Sequence, residues 1–79
     1  MQTLLVHVTN EEPILAEVET LPESTDTAVF LINPRRRDGK DVHYVLPEVH
    51  TIIMPWWRIS FIEIMPSGEE EEIVAFYKD

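Results

Sequence analysis

The chain has 79 residues, 44% of them hydrophobic, with 6 basic against 15 acidic side chains, a net charge of −9 and no cysteine. That length holds one small domain rather than a two-domain enzyme, and such a domain buries only about 60% of its unfolded-chain surface, so help from oligomerisation is expected. The missing cysteines exclude thiol chemistry, cysteine-ligated zinc and iron–sulfur clusters, and the negative charge repels phosphate backbones at long range.

The N-terminus, MQTLLVHV, has no basic region leading into an apolar stretch, so no signal peptide is expected. No run approaches the roughly 18 consecutive apolar residues of a membrane span. The expectation is a cytoplasmic protein without a membrane partner. Leu4, Val6 and Val8 alternate with Thr3, Leu5, His7 and Thr9, which predicts a strand with one strongly apolar face. Asn10-Glu11-Glu12-Pro13 supplies turn residues, and Pro13 has no N–H for a ladder. Across Ile14–Leu21, Ile14, Ala16 and Val18 alternate with Glu17 and Glu19, as in a second strand with a solvated acidic face. A helix over Glu11–Leu21 is the rival, disfavoured by Pro13 and by β-branching.

Pro22–Asp26 is a loop by composition. Thr27–Asn33 is nearly continuous apolar and short, as in a buried central strand, with Asn33-Pro34 ending or bending it. Asp38-Gly39 favours a tight hairpin turn because Gly accepts positive φ. Asp41–Leu46 then reads as the return strand. Pro47 interrupts it, so Val49–Met54 is either a second piece of one bent strand or a new strand. Pro55-Trp56-Trp57 is a short connector, Ile59–Met65 the last strand, and Pro66-Ser67-Gly68 closes the domain. Residues 67–79 form an acidic tail, with Glu69–Glu72 solvated and Ile73–Tyr77 able to dock as a short segment on this subunit or a neighbour. Five or six short strands with turn signals and no clear helix predict an all-β fold: a small, strongly bent, five-stranded open barrel over residues 1–66.

The last two strands raise a burial problem. Adjacent strand residues face opposite sides, so Ile52 and Ile53 cannot share one core, nor can Phe61 and Ile62. A small barrel has one interior. The excess apolar surface and the strand edges both call for a partner, and subunit–subunit packing satisfies both. If each subunit offers one edge to the next, the contact is heterologous and its closure is a ring.

The order of elements, together with Ile32-Asn33-Pro34 and the later Met54-Pro55-Trp56, resembles the Sm-like (Lsm-type) barrels, and in particular small Sm-like proteins of phage origin. The resemblance covers about residues 3–66. It implies a five-stranded open barrel of the Sm-like or SH3-like kind, with rings formed by pairing the fourth strand of one subunit, here Val49–Met54, with the fifth of the next, here Ile59–Met65. Members that bind RNA carry an Asp–Asn pair after the second strand and an Arg-Gly pair before the last. This chain has Ser24-Thr25-Asp26-Thr27 and Pro55-Trp56-Trp57-Arg58 there, and the N-terminal helix usual in the family is missing. The resemblance therefore implies fold and ring assembly rather than uridine-rich RNA binding.

Among candidate sites, Arg35, Arg36, Arg37 and Lys40 form a basic cluster at a hairpin tip. As a site it would be a phosphate or acidic-partner contact, because guanidinium forks match oxyanions; the plainer readings are a solvated hairpin tip or arginines pairing with the chain's many carboxylates. Trp56, Trp57 and Arg58 would suit base stacking, and suit a core or interface better. His7, His43 and His50, at spacings of 36 and 7, match no metal-binding pattern, so no metal or cofactor is expected. Glu17 and Glu19 share a face, which a solvated surface explains better than acid–base chemistry. No Gly-rich phosphate loop or nucleophile elbow occurs. The expectation is a non-enzymatic binding or scaffolding module that self-assembles into a cyclic homo-oligomer. Val49, Ile53, Trp56, Trp57, Arg58, Ile62 and Ile64 would form its interface. The alternative is an RNA-binding protein using Arg35–Arg37 and Lys40, a role the net charge disfavours.

Overall fold

The computed structural model describes residues 1–66, so the acidic tail and the docking expected of Ile73–Tyr77 lie outside the described residues. Five antiparallel strands, β1 (Gln2–Val8), β2 (Ile14–Val18), β3 (Ala28–Arg36), β4 (Thr51–Pro55) and β5 (Ile59–Ile64), form a curled, open half-barrel. The order across the sheet is β4-β3-β2-β1-β5, so β4 and β5 are its two edges. Between them lies a single 3-10 turn, Trp56–Arg58.

That turn explains the curl. Three residues reach at most about 10 Å. Yet its first residue, Trp56, donates its backbone N–H to Thr27 O just before β3 (3.0 Å), while Arg58 O accepts from Thr9 N just after β1 (2.7 Å). A flat sheet would hold those two points apart. The sheet must coil until its edge strands approach, as twisted strands allow.

Alternation fills the interior. Leu4, Val6 and Val8 from β1, Ile14, Ala16 and Val18 from β2, Val29 and Leu31 from β3, and Met54 from β4 are buried in one cluster, with Ile52, Trp56, Ile59 and Ile62 packed against it. Full burial of a side chain such as Leu31 stabilises by about 1.5–3 kcal/mol.

The two ladder irregularities have definite causes. Leu15 pairs with Arg35 but Glu17 pairs with Ile32, so β3 carries one extra residue, at Asn33-Pro34. Asn33 takes φ 52°, its N–H goes to His50 O (2.6 Å), and Pro34 has no N–H to lose. The chain was expected to end or bend here. It bends, and β3 runs on through a bulge. In β5, His7 pairs with Phe61 and Val8 with Ile59, leaving Ser60 as the extra residue.

One expected strand does not form. The turn at Asp38-Gly39 is present: Gly39, at φ 87°, donates to Arg36 O (2.9 Å), and Arg36 N donates to Lys40 O (2.8 Å). Asp41–Leu46, however, is not the return strand. Two further turns follow, closed by Val45 N to Val42 O (3.1 Å) and Val49 N to Leu46 O (3.0 Å), and β4 starts only at Thr51. Val42 is buried and Val45 packs on the same core. A strand cannot turn two residues three apart to one side, whereas successive turns can.

Candidate functional site

The outer surface of the half-barrel collects three groups of side chains. The first lies on β4 and its neighbour. Because Ile52 and Met54 face inward, Ile53 must face out, and it is 61% exposed. It pairs across the ladder with Phe30, which is 63% exposed for the same reason: Val29 and Leu31 on either side are core. The second group lies on β5. Ile62 packs on the core, so Phe61 faces out beside its partner His7. The two rings stack with centroids 3.9 Å apart, and His7 Nε2 lies 2.7 Å from Glu63 Oε1. Trp57 stands between the two edges at 78% exposure, with the Arg58 guanidinium 6.0 Å from its ring centroid.

Each residue expected at an interface can now be placed. Ile53, Trp57 and Ile64 are exposed. Trp56, Arg58 and Ile62 are half-buried, with Trp56 and Ile62 packed on the core. Val49 sits half-buried in the turn before β4. The two tryptophans divide, Trp56 packed inward and Trp57 facing out, although in a 3-10 turn their side chains lie only about 120° apart. The Trp56 indole N–H and the Arg58 Nε are buried without a hydrogen-bond acceptor among the described residues. Phe30 and Phe61 belong with the exposed set: the sequence reading opposes Phe61 to Ile62 without placing it at the interface, and does not mark Phe30. The signal was present: the alternation rule applied to Ile52-Ile53 applies equally to Val29-Phe30-Leu31.

The third group is the basic cluster, and the structure separates its members. The extra residue in β3 reverses the parity of every side chain after it. Arg35 therefore joins Ile32 on the outer face instead of opposing it. There Arg35 Nη1 and Nη2 donate to Glu17 Oε1 and Oε2, each at 2.8 Å, Nη1 also donates to Asn33 O (3.0 Å), and Thr3 Oγ1 donates to Glu17 Oε2 (3.2 Å). This forked pair is the strong form of an ion pair. Hydrogen bonding from Arg35 holds the Glu17 carboxyl below the ordinary carboxylate range and holds the guanidinium pKa above its own. Arg35 is thus a structural cation. Arg36 lies 3.6 Å from Glu12 and 3.5 Å from Asp38. Arg37 and Lys40 have no carboxylate partner among the described residues, although the Lys40 backbone N–H bonds Asp38 Oδ1 (3.0 Å) and lowers that carboxyl's pKa.

The histidines are dispersed: His7 faces Glu63, His43 lies 3.6 Å from Glu11 and edge-on to Tyr44, and His50 gives its carbonyl to Asn33. Glu17 belongs to the arginine pair, while Glu19 is exposed beyond the end of β2. Among the described residues no three metal-ligating side chains come together, and no helix is long and apolar enough to cross a membrane. Comparison of the chain with protein-family models, curated proteins and solved structures finds no match.

Proposed function

We propose that this protein is a non-enzymatic binding or scaffolding module that assembles with copies of itself into a ring, β4 of each copy pairing with β5 of the next. The observation that carries this reading is the coincidence of two strand edges, open among the described residues, with large exposed side chains beside each: Ile53 and Phe30 along one, Phe61 along the other. Joining the edges would satisfy the free backbone groups of both strands, which have five and six residues. It would also continue the outer apolar row from Phe30 and Ile53 onto Phe61 of the neighbour, and the inner row from Met54 onto Ile62. The contact is head-to-tail, so closure yields a cyclic oligomer. The Sm-like resemblance points the same way. The RNA-binding alternative is left with Arg36, Arg37 and Lys40, since Arg35 is engaged by Glu17.

Native mass spectrometry and light scattering at micromolar concentration test the proposal. The expected result is one discrete oligomer, reduced to monomer by Ile53→Lys combined with Trp57→Lys. Both positions are exposed, so these changes leave the fold intact. A monomeric wild-type protein would overturn the reading.

A further inference from the structure

The half-barrel is open along an apolar cleft of about 340 Å³ lined by Leu4, Leu21, Pro22, Trp56, Ile62 and Ile64. The cleft runs from β1 and β5 to the residues that follow β2 and β4, and it exposes Leu21 and Ile64. Its wall includes Trp56, whose indole N–H is buried and has no acceptor among the described residues. An apolar lining of this size suits the apolar side chains of a short peptide segment.

The chain leaves the described fold at this cleft. Met65 is tied down by its N–H to Thr3 O (2.9 Å) and by Gln2 Nε2 to its carbonyl (2.9 Å), between Ile64 and the Leu4 wall. Beyond it, Ser67-Gly68 and four glutamates precede Ile73-Val74-Ala75-Phe76-Tyr77. Residues 67–72 span up to about 20 Å, enough to turn back over a cleft whose rim is the exit point. The polar spacer has no reason to enter an apolar cleft, whereas the pentad has no polar side chain except the Tyr77 hydroxyl.

We propose that the cleft is the docking site for Ile73–Tyr77 of the same chain, which covers the open side of the barrel with its apolar side chains. The proposal stands apart from ring assembly, which uses the strand edges.

Because the protein has no cysteine, an introduced pair is unambiguous. In the full chain, Leu21→Cys with Phe76→Cys is expected to form an intrachain disulfide under mild oxidation, on the order of tenfold faster than Phe30→Cys with Phe76→Cys, whose first partner sits on the outer face of β3. Equal rates for the two pairs, or no crosslink, would overturn docking, and a disulfide between chains would overturn the same-chain occupant. A second readout is independent of crosslinking. With Trp57→Phe leaving Trp56 as the sole indole, Ile73→Asp plus Phe76→Asp should red-shift its emission and increase acrylamide quenching; unchanged spectra count against the proposal. Native masses of the wild-type chain separate the two readings: a discrete oligomer in which docking is absent refutes only this one, and a monomer in which docking is present refutes only ring assembly.

Discussion

Replacing Glu17 with Gln, Arg35 with Gln, and both together would measure what the outer-face ion pair contributes and how it depends on pH. The side chains of Glu17 and Arg35 keep 20% and 34% of their exposure, so the pair lies between a surface salt bridge and a buried one. Fully exposed pairs contribute up to about 1 kcal/mol, and hydrogen bonds to charged groups in drier surroundings about 1.5–3 kcal/mol. Two parallel bonds at 2.8 Å argue for the upper half of the joined range, discounted because water still reaches the guanidinium. The expected coupling in a double-mutant cycle at pH 7 is about 1–2 kcal/mol, or roughly 5–15 °C in Tm for so small a domain. The sign with pH follows from the lowered Glu17 carboxyl pKa. Its contribution is complete above the unfolded carboxyl value, near pH 4.3, and disappears as pH falls through the lower folded value. Wild type should therefore lose more stability than Glu17→Gln between about pH 5 and pH 3. Chemical denaturation at two protein concentrations, to separate folding from assembly, is the assay. A coupling below about 0.3 kcal/mol, or parallel pH profiles, would refute the view that the β3 bulge positions Arg35 to stabilise the sheet.

Two further substitutions test the fold. Leu31→Ala removes a fully buried side chain from the interior strand β3 and should cost about 2–5 kcal/mol in denaturant unfolding, enough to leave so small a chain partly unfolded at 25 °C. Gly39→Ala meets no atom within 4 Å, so its cost should be backbone strain alone at φ 87°, about 1–2 kcal/mol by thermal melt; a neutral result would mean the turn relaxes to another conformation.

The strands themselves were largely legible in the chain. β1 and β2 follow from period-two alternation, the apolar part of β3 from a short, nearly continuous apolar run, β4 and β5 from apolar runs bounded by turn residues, and the turn at Gly39 from Asp-Gly chemistry, because these signals are carried by neighbouring residues. The opposite facing of Ile52 and Ile53, and of Phe61 and Ile62, was equally local. What alternation cannot give is parity across an irregularity: with a bulge at Asn33-Pro34, Arg35 changes faces and meets Glu17, and the basic cluster is divided into Arg35 on Glu17, Arg36 near Glu12 and Asp38, and Arg37 and Lys40 without a carboxylate partner among the described residues. Nor could composition distinguish a return strand over Asp41–Leu46 from two turns, since what decided it was whether the core had room for Val42 and Val45 on one side.

The chain by itself therefore determined an all-β fold with more apolar surface on its final strands than one small interior can cover, because strand alternation is a property of covalent geometry. Tertiary structure alone decided the curl of the sheet, the pairing of Arg35 with Glu17 and the apolar cleft beside Trp56. Each depends on segments distant in sequence meeting at a particular register, and the register is set by single extra residues and a three-residue turn that no local pattern announces.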